Sequence, residues 1–439
     1  MILFYTSIPR SFRTTLIGHL YEISQVYPVV LLAEELDPDL QKLISDKDLF
    51  PKLEAVVPVH QHTGLKRNLL DKERYLARRA KELIEKYQPE IVVAANDLYP
   101  FEMHLIRAAK KSGATTLSIQ AGMAADSATV KRWLSAEAAY SSPLKFLPFS
   151  SRLLLIRTKK IFQHFLVYYL LPLLSGNLPF TGKTSFILGT GTAGERADYQ
   201  VILSKRDYEI HSKDGIQKEK LLILAHPFTR NKKIFNLLSP ARRSGKKEKS
   251  VAVMVPSDIK VGFRKKDFSP IPMIQRKKEW RELVNLIQQS LPDWKIQLKP
   301  HPATRNPDGL QRIFIKVPNT TLVDHQSPAE TSMAKADAVI GLPLSTSTTL
   351  ATAALRWPSL PIISLDTEEE LLGDYYKDFP GIDYVTTKDE LEKKLKLIAS
   401  GKYEKSFSPP APTIPSGPAG GLTEEGFKNI IELIQYVTG

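Results

Sequence analysis

The chain has no cysteine in 439 residues, which excludes disulfides, thiolate metal sites and thiol redox chemistry and is compatible with an intracellular life. Nothing basic precedes the first apolar run, at residues 2–5, and no small-residue cleavage site follows it. That run therefore reads as a first core strand rather than a signal peptide, and a cytoplasmic location is expected. Also missing are the phosphate loop Gly-x-x-x-x-Gly-Lys-Ser/Thr, the His-Glu-x-x-His metalloprotease pattern and the Gly-x-Ser-x-Gly elbow. The nine histidines are scattered, so no metal site is expected.

What is present is ordinary globular material: 42% hydrophobic and 25% charged residues, in a chain long enough for two or three cores. The formal charge of +14 favours anionic partners: phospholipid head groups, nucleotide phosphates, acidic glycans or nucleic acid. Nucleic acid has only the net charge in its favour, because no RNA-recognition motif or basic-aromatic interleaving accompanies it. It is set aside.

Short apolar or β-branched runs at residues 2–6, 27–33, 55–59, 91–95 and 115–119 alternate with helical patterns such as Asp71–Tyr87 and Phe101–Ser112. Strand and helix in alternation predict a mainly parallel sheet covered on both faces. A second series starts near Leu221 and continues through Val251–Val255, Lys295–Lys299, Thr320–Val323, Ala338–Ile340 and Pro361–Leu365. Helical patterns at Lys277–Ser290, Pro328–Lys335 and Ser347–Arg356 separate several of these strands. The doubling predicts an α/β chain with one domain over residues 1–215 and a second over 216–408. Residues 409–439 then form a linker, rich in Pro, Gly and Ser at Ser408–Gly421, and a final amphipathic helix at Thr423–Val437 that returns across the domain boundary.

Between the two series lies residues 144–180. There Arg152, Arg157, Lys159 and Lys160 lead into an apolar run from Ile161 to Leu174, interrupted by Gln163 and His164 and broken at Pro172. The run is shorter than the ~20 residues a bilayer crossing needs. Two readings stand side by side: a segment lying on an anionic membrane surface, and a buried core helix with a solvated basic end. The lysine-rich stretch Arg242–Lys249 reads as an exposed loop.

Lys299-Pro-His-Pro stands immediately after the predicted strand Trp294–Leu298, and the carboxyl end of a parallel strand is where open α/β sheets hold ligands. Two prolines stiffen the corner that carries His301. His301 and Lys299 are candidates to neutralise charge on a departing phosphate, the first by hydrogen bond or proton donation and the second by Coulomb attraction. A rigid strand-to-loop corner is the plainer alternative. After the strand ending at Gly341, the turn containing Ser345, Thr346 and Ser347 opens a helix. It offers hydroxyls and free backbone N–H groups suited to a phosphate, or simply a helix cap. In the first half, Asp97 follows the strand at Ile91 and is the candidate general base or, equally, an N-cap to the next helix. Glu102 and Asp126 stand in reserve.

At these residues the chain resembles bacterial GT-B transferases of capsule and surface polysaccharides, including sialyl-, polysialyl- and Kdo-transferases, which pair a His-Pro motif with a later Ser-Ser or Ser-Thr motif. The counterparts are His301-Pro302 and Ser345-Thr346-Ser347. The passages 197–204 and 215–227 also look like the family's crossing between domains, where His226-Pro227 reads as a structural turn. The resemblance implies a GT-B fold, two facing Rossmann-like domains with a cleft between them, and nucleotide-sugar-dependent glycosyl transfer to a glycan or glycolipid acceptor. It also implies that His301 contacts the donor phosphate and assists its departure while Ser345 and Thr346 bind the same phosphate. Lys299 joins them on charge and position alone. The donor, a CMP-linked sialic-acid-like or Kdo-like sugar or a UDP- or GDP-linked neutral one, is a substrate, so no separate cofactor is expected.

One departure stands out: Ala121 occupies the place where many of these proteins carry a histidine. The glycines of 189–194 read as loop. Two other functions share the pattern: a nucleotide-sugar 2-epimerase of the same architecture, and a non-catalytic, membrane-peripheral protein of polysaccharide assembly.

Overall fold

The computed structural model describes residues 1–7, 12–34, 36–59, 69–95, 99–120, 147–174, 196–203, 205–224, 227, 231–238, 248–257, 263–264, 266, 269–302, 304, 306–314, 317–343, 349–366, 376–377, 379, 381–404 and 426–439. The chain divides into two compact units: Met1–Ser127 with Leu154–Ile234 and Pro412–Gly439, and Ala128–Leu153 with Phe235–Ala411.

In the first unit seven strands pair in parallel: β1 (Ile2–Thr6), β2 (Val29–Ala33), β3 (Leu53–Pro58), β4 (Ile91–Ala94), β5 (Thr115–Ile119), β6 (Tyr199–Ile202) and β7 (Leu221–Ile223). Their order, β3-β2-β1-β4-β5-β6-β7, reverses direction between β1 and β4. Every residue of β1, β2 and β4 is buried, as continuous apolar runs require when helices cover both faces of a sheet. On one face the helices Leu69–Tyr87 and Pro100–Lys111 bring Leu76, Ala80, Leu83, Phe101 and Leu105 onto Leu3, Tyr5, Val30 and Val92. Gly113 ends the second of these helices at φ 85°, a left-handed conformation that glycine adopts without a Cβ clash.

The second unit repeats the design with β8 (Ser250–Val255), β9 (Lys295–Pro300), β10 (Thr320–Leu322), β11 (Ala338–Gly341), β12 (Ile362–Leu365) and β13 (Asp383–Val385), ordered β10-β9-β8-β11-β12-β13 and all parallel. Its helix Met273–Ser290 buries Trp280, Leu283, Val284 and Ile287, whose spacing of three, four and seven residues makes one apolar stripe. Burying each such side chain stabilises the unit by about 1.5–3 kcal/mol.

The domain boundary differs from the one expected at 215/216. The strand at Leu221 pairs with β6 and closes the first sheet, so the second series starts at Ser250 and the break falls between Ile234 and Phe235. The cause is local: Ile202, Ile216, Leu221 and Ile223 cluster beside Tyr208 of the intervening helix Lys205–Lys213, making one more parallel β-α-β step. The C-terminal helix, Ile430–Thr438, does return to the first unit. Asn429 caps it through Glu432 N–H at 2.9 Å, and it packs on the helix Ile17–Val26. Glu22 of that helix accepts from Ile430 N–H at 3.2 Å and from the Asn231 amide at 2.8 Å.

Residues 149–174 form a helix, Phe149–Phe165, continued by a wider π turn, Leu166–Leu170, and a last turn, Leu171–Leu174. Its end is anchored: Leu171 and Pro172 are buried, where the last turn packs on the helix Leu69–Tyr87. Along its length Leu154, Leu155, Phe162 and Phe165 are exposed, so at these positions the segment faces outward. No helix among the described residues is long and apolar enough to cross a membrane.

Candidate active site at the carboxyl rim of the second sheet

His301 directly follows β9, and its backbone N–H donates to Val255 O at the end of β8 (3.0 Å). Its own carbonyl accepts from Thr304 N–H at 2.9 Å. The ladder between β8 and β9 thus runs one residue past the strand and fixes the half-buried histidine at the rim. The Thr304 hydroxyl beside it is buried and has no hydrogen-bond partner among the described residues.

Lys299 is 2% exposed, and its ammonium donates to Pro300 O and His325 O, both at 2.8 Å. A buried cation needs such partners, and here they tie the His301 corner to the loop after β10. That loop is also held by Val323 N–H on Leu298 O at 2.9 Å. Beside it a hollow of about 550 Å³ lies between the helix Pro307–Phe314 and edge strand β10, lined by Leu298, Gln311, Thr321, Asp324 and His325. Small-ligand sites have volumes of this order.

Ser345, Thr346 and Ser347 lie outside the described residues, as do Asp97, Asp126, Ala121, His226 and residues 189–194 and 242–247. The elements flanking the hydroxyl turn are placed: β11 ends at Gly341, Leu342 N–H donates to Met254 O at 3.1 Å, and the helix Thr349–Arg356 follows. Only β8 separates β9 from β11, so the two strand ends that carry the motifs are about 10 Å apart on one rim. Strand order reverses between β8 and β11, the position where open α/β sheets form a ligand crevice.

At the rim of the first sheet, Glu102 is fully buried. It accepts from the Ser7 hydroxyl at 2.7 Å and from Tyr99 N–H at 3.3 Å, which joins the end of β1 to the start of the helix Pro100–Lys111 across the β1/β4 switch. This is a capping and bracing role for one of the two reserve carboxylates. Burial, with the charges of Glu102 and Glu34, pushes the Tyr99 phenol above its ordinary range.

Sequence reasoning missed the service of Lys299 to the His325 loop. The partner carbonyl is 26 residues away, and no local pattern announces it.

No family model matches the chain, and no curated protein matches it in sequence. Solved structures do match in fold. The UDP-GlcNAc 2-epimerase of Methanocaldococcus jannaschii superposes with a TM-score of 0.57 over 99% of this chain and 99% of that one, at 10% identity. The UDP-GlcNAc 2-epimerase of Neisseria meningitidis, bound to UDP-GlcNAc, gives 0.51 over 91% of each chain at 11% identity. Similarity this remote in sequence and this extensive in structure establishes the architecture: two Rossmann-like units with parallel sheets, the GT-B fold.

Proposed function

We propose that the protein is a nucleotide-sugar-dependent glycosyltransferase whose donor binds at the carboxyl rim of the second sheet. The observation that carries this reading is His301, held by backbone hydrogen bonds one strand from the β8/β11 switch point. In the transfer, an acceptor hydroxyl oxygen attacks the anomeric carbon and the bond from that carbon to the donor phosphate breaks. The electron pair leaves on the phosphate oxygen, where a hydrogen bond or proton from His301 stabilises it. Ser345, Thr346 and Ser347 supply hydroxyls and N–H groups to the same phosphate. Asp97 takes the acceptor's proton. Lys299 acts by positioning, since its ammonium is engaged by two carbonyls. The acceptor in this reading is a surface glycan or glycolipid met at the cytoplasmic face of a membrane, and a CMP-linked acidic sugar is the first donor to test.

A second reading, nucleotide-sugar 2-epimerisation, has the two solved neighbours in its favour. It predicts inversion at carbon 2 of the sugar with no acceptor required. A thermal-shift panel of CMP, UDP and GDP with their sugars tests both readings, followed by product analysis with and without glycan acceptor. Nucleotide released only when acceptor is present supports transfer. Epimerised nucleotide sugar formed without acceptor moves the assignment to the second reading, and absence of any nucleotide shift removes both in favour of a non-catalytic assembly protein.

A further inference from the structure

The segment 149–174 leaves an apolar surface that the proposed chemistry does not use. Positions 154, 158, 162, 165, 169 and 173 recur every three or four residues and so share one helical face. On that face Leu154 is 67% exposed, Phe162 62%, Phe165 41% and Leu173 55%. The π turn keeps the face continuous by stacking the rings of Phe165 and Tyr169, with centroids 6.0 Å apart and planes 13° off parallel. Leu155 and Leu174, about half exposed, widen it. An apolar strip of this size on a protein surface marks an interaction site.

The charge of the segment selects the occupant. From Phe149 to Leu174 the sequence carries Arg152, Arg157, Lys159 and Lys160 and no acidic residue at all. Lys159 is exposed on the flank of the apolar face. Aromatic rings beside basic side chains, on a helix too short and too charged to cross a bilayer, match the chemistry of a lipid head-group layer: rings enter the acyl boundary while ammonium groups meet phosphates. We infer that this face docks the protein flat on an anionic bilayer. The inference deepens the transferase reading by naming where a lipid-borne acceptor is met, and rests on that reading for this purpose alone.

The test is sedimentation of the full-length protein with phosphatidylcholine vesicles made with and without phosphatidylglycerol. The wild type is expected to bind the anionic vesicles and to lose affinity as salt rises. Phe162→Ser with Phe165→Ser should weaken binding at least roughly tenfold, since each ring carries the transfer free energy of a large apolar side chain. Lys159→Ala should weaken it about fivefold on anionic vesicles only. Leu154→Ser with Leu173→Ser provides the same reading should the ring variant fold poorly. Wild-type protein that binds neither vesicle, or variants that bind as tightly as wild type, overturns the inference. So does concentration-dependent dimerisation that the same substitutions abolish, which would seat a second copy on the face. Nucleotide thermal shifts run on the same variants stay at wild-type values, which separates failure of docking from failure of the catalytic reading.

Discussion

Replacing Lys299 with methionine removes an ammonium from a site that is 2% exposed and leaves the carbonyls of Pro300 and His325 without that donor. Stranding buried carbonyls costs on the order of 2 kcal/mol, so the urea midpoint is expected to fall and turnover to fall with it as the corner loosens. His301→Ala should behave differently. Two of the bonds that hold this corner are made by its backbone atoms, which survive the substitution, so the urea midpoint should fall less than in Lys299→Met. Turnover of nucleotide sugar should drop ~10²–10⁴-fold, the usual worth of a general acid. A His301→Ala protein that turns over normally would remove His301 from the proposed chemistry, whatever its melting behaviour.

Asp198 shows how a single element is attached. It stands just before β6 and accepts from Thr116 N–H at 2.9 Å, from the Thr116 hydroxyl at 2.7 Å and from Lys110 Nζ at 2.8 Å. Burial raises its pKa, but the bonds from Lys110 and Thr116 with the lysine charge outweigh burial and hold it below the ordinary value. A carboxylate depressed in the folded state stabilises fully above its unfolded pKa, and that stability drains away as pH falls through the folded one. Asp198→Asn is therefore expected to lower the urea midpoint at neutral pH, with the gap to wild type closing below about pH 4. A gap that is constant with pH would mean the side chain acts by shape alone. The same element marks a limit of what the sequence discloses. The expected strands at residues 2–6, 91–95 and 115–119 match β1, β4 and β5 within a residue or so, because fully buried parallel strands write themselves as apolar runs. The sheet to which Leu221–Ile223 belongs was not legible, since three apolar residues do not name their neighbour. The position of His301 at a strand's carboxyl end was legible from the alternation of Trp294, Ile296 and Leu298 with polar residues before it. The burial of Lys299 was not, because a loop distant in sequence supplies its acceptor. Nor did periodicity say that Leu154, Leu155, Phe162 and Phe165 face outward, as exposed and buried apolar stripes both repeat every three or four residues.

At the scale of the molecule, the first unit is made of segments from both ends of the chain, with most of the second unit, Phe235–Ala411, lying between them in sequence. The final segment brings Phe427, Ile430, Leu433 and Ile434 into the first unit, each at most 4% exposed. Losing that burial costs about 6–12 kcal/mol, comparable to the 5–15 kcal/mol that holds a typical domain together. Ending the chain at residue 425 should therefore unfold the first unit and leave the second intact. Limited proteolysis is the measurement: cleavage concentrated in 1–234 with a resistant fragment covering 250–404 is expected, and uniform resistance would show the helix to be dispensable. The same arrangement imposes an order on synthesis. The ribosome finishes β7 at Ile223 about 207 residues before it starts the helix at Ile430 that completes the first core, an interval of roughly 10–40 s at ordinary elongation rates. During that interval the oldest part of the nascent chain has its sheet but lacks its last apolar cover, while the younger unit already holds everything it needs. The protein thus matures from the middle outward, and its earliest-made strands wait longest for their final apolar cover.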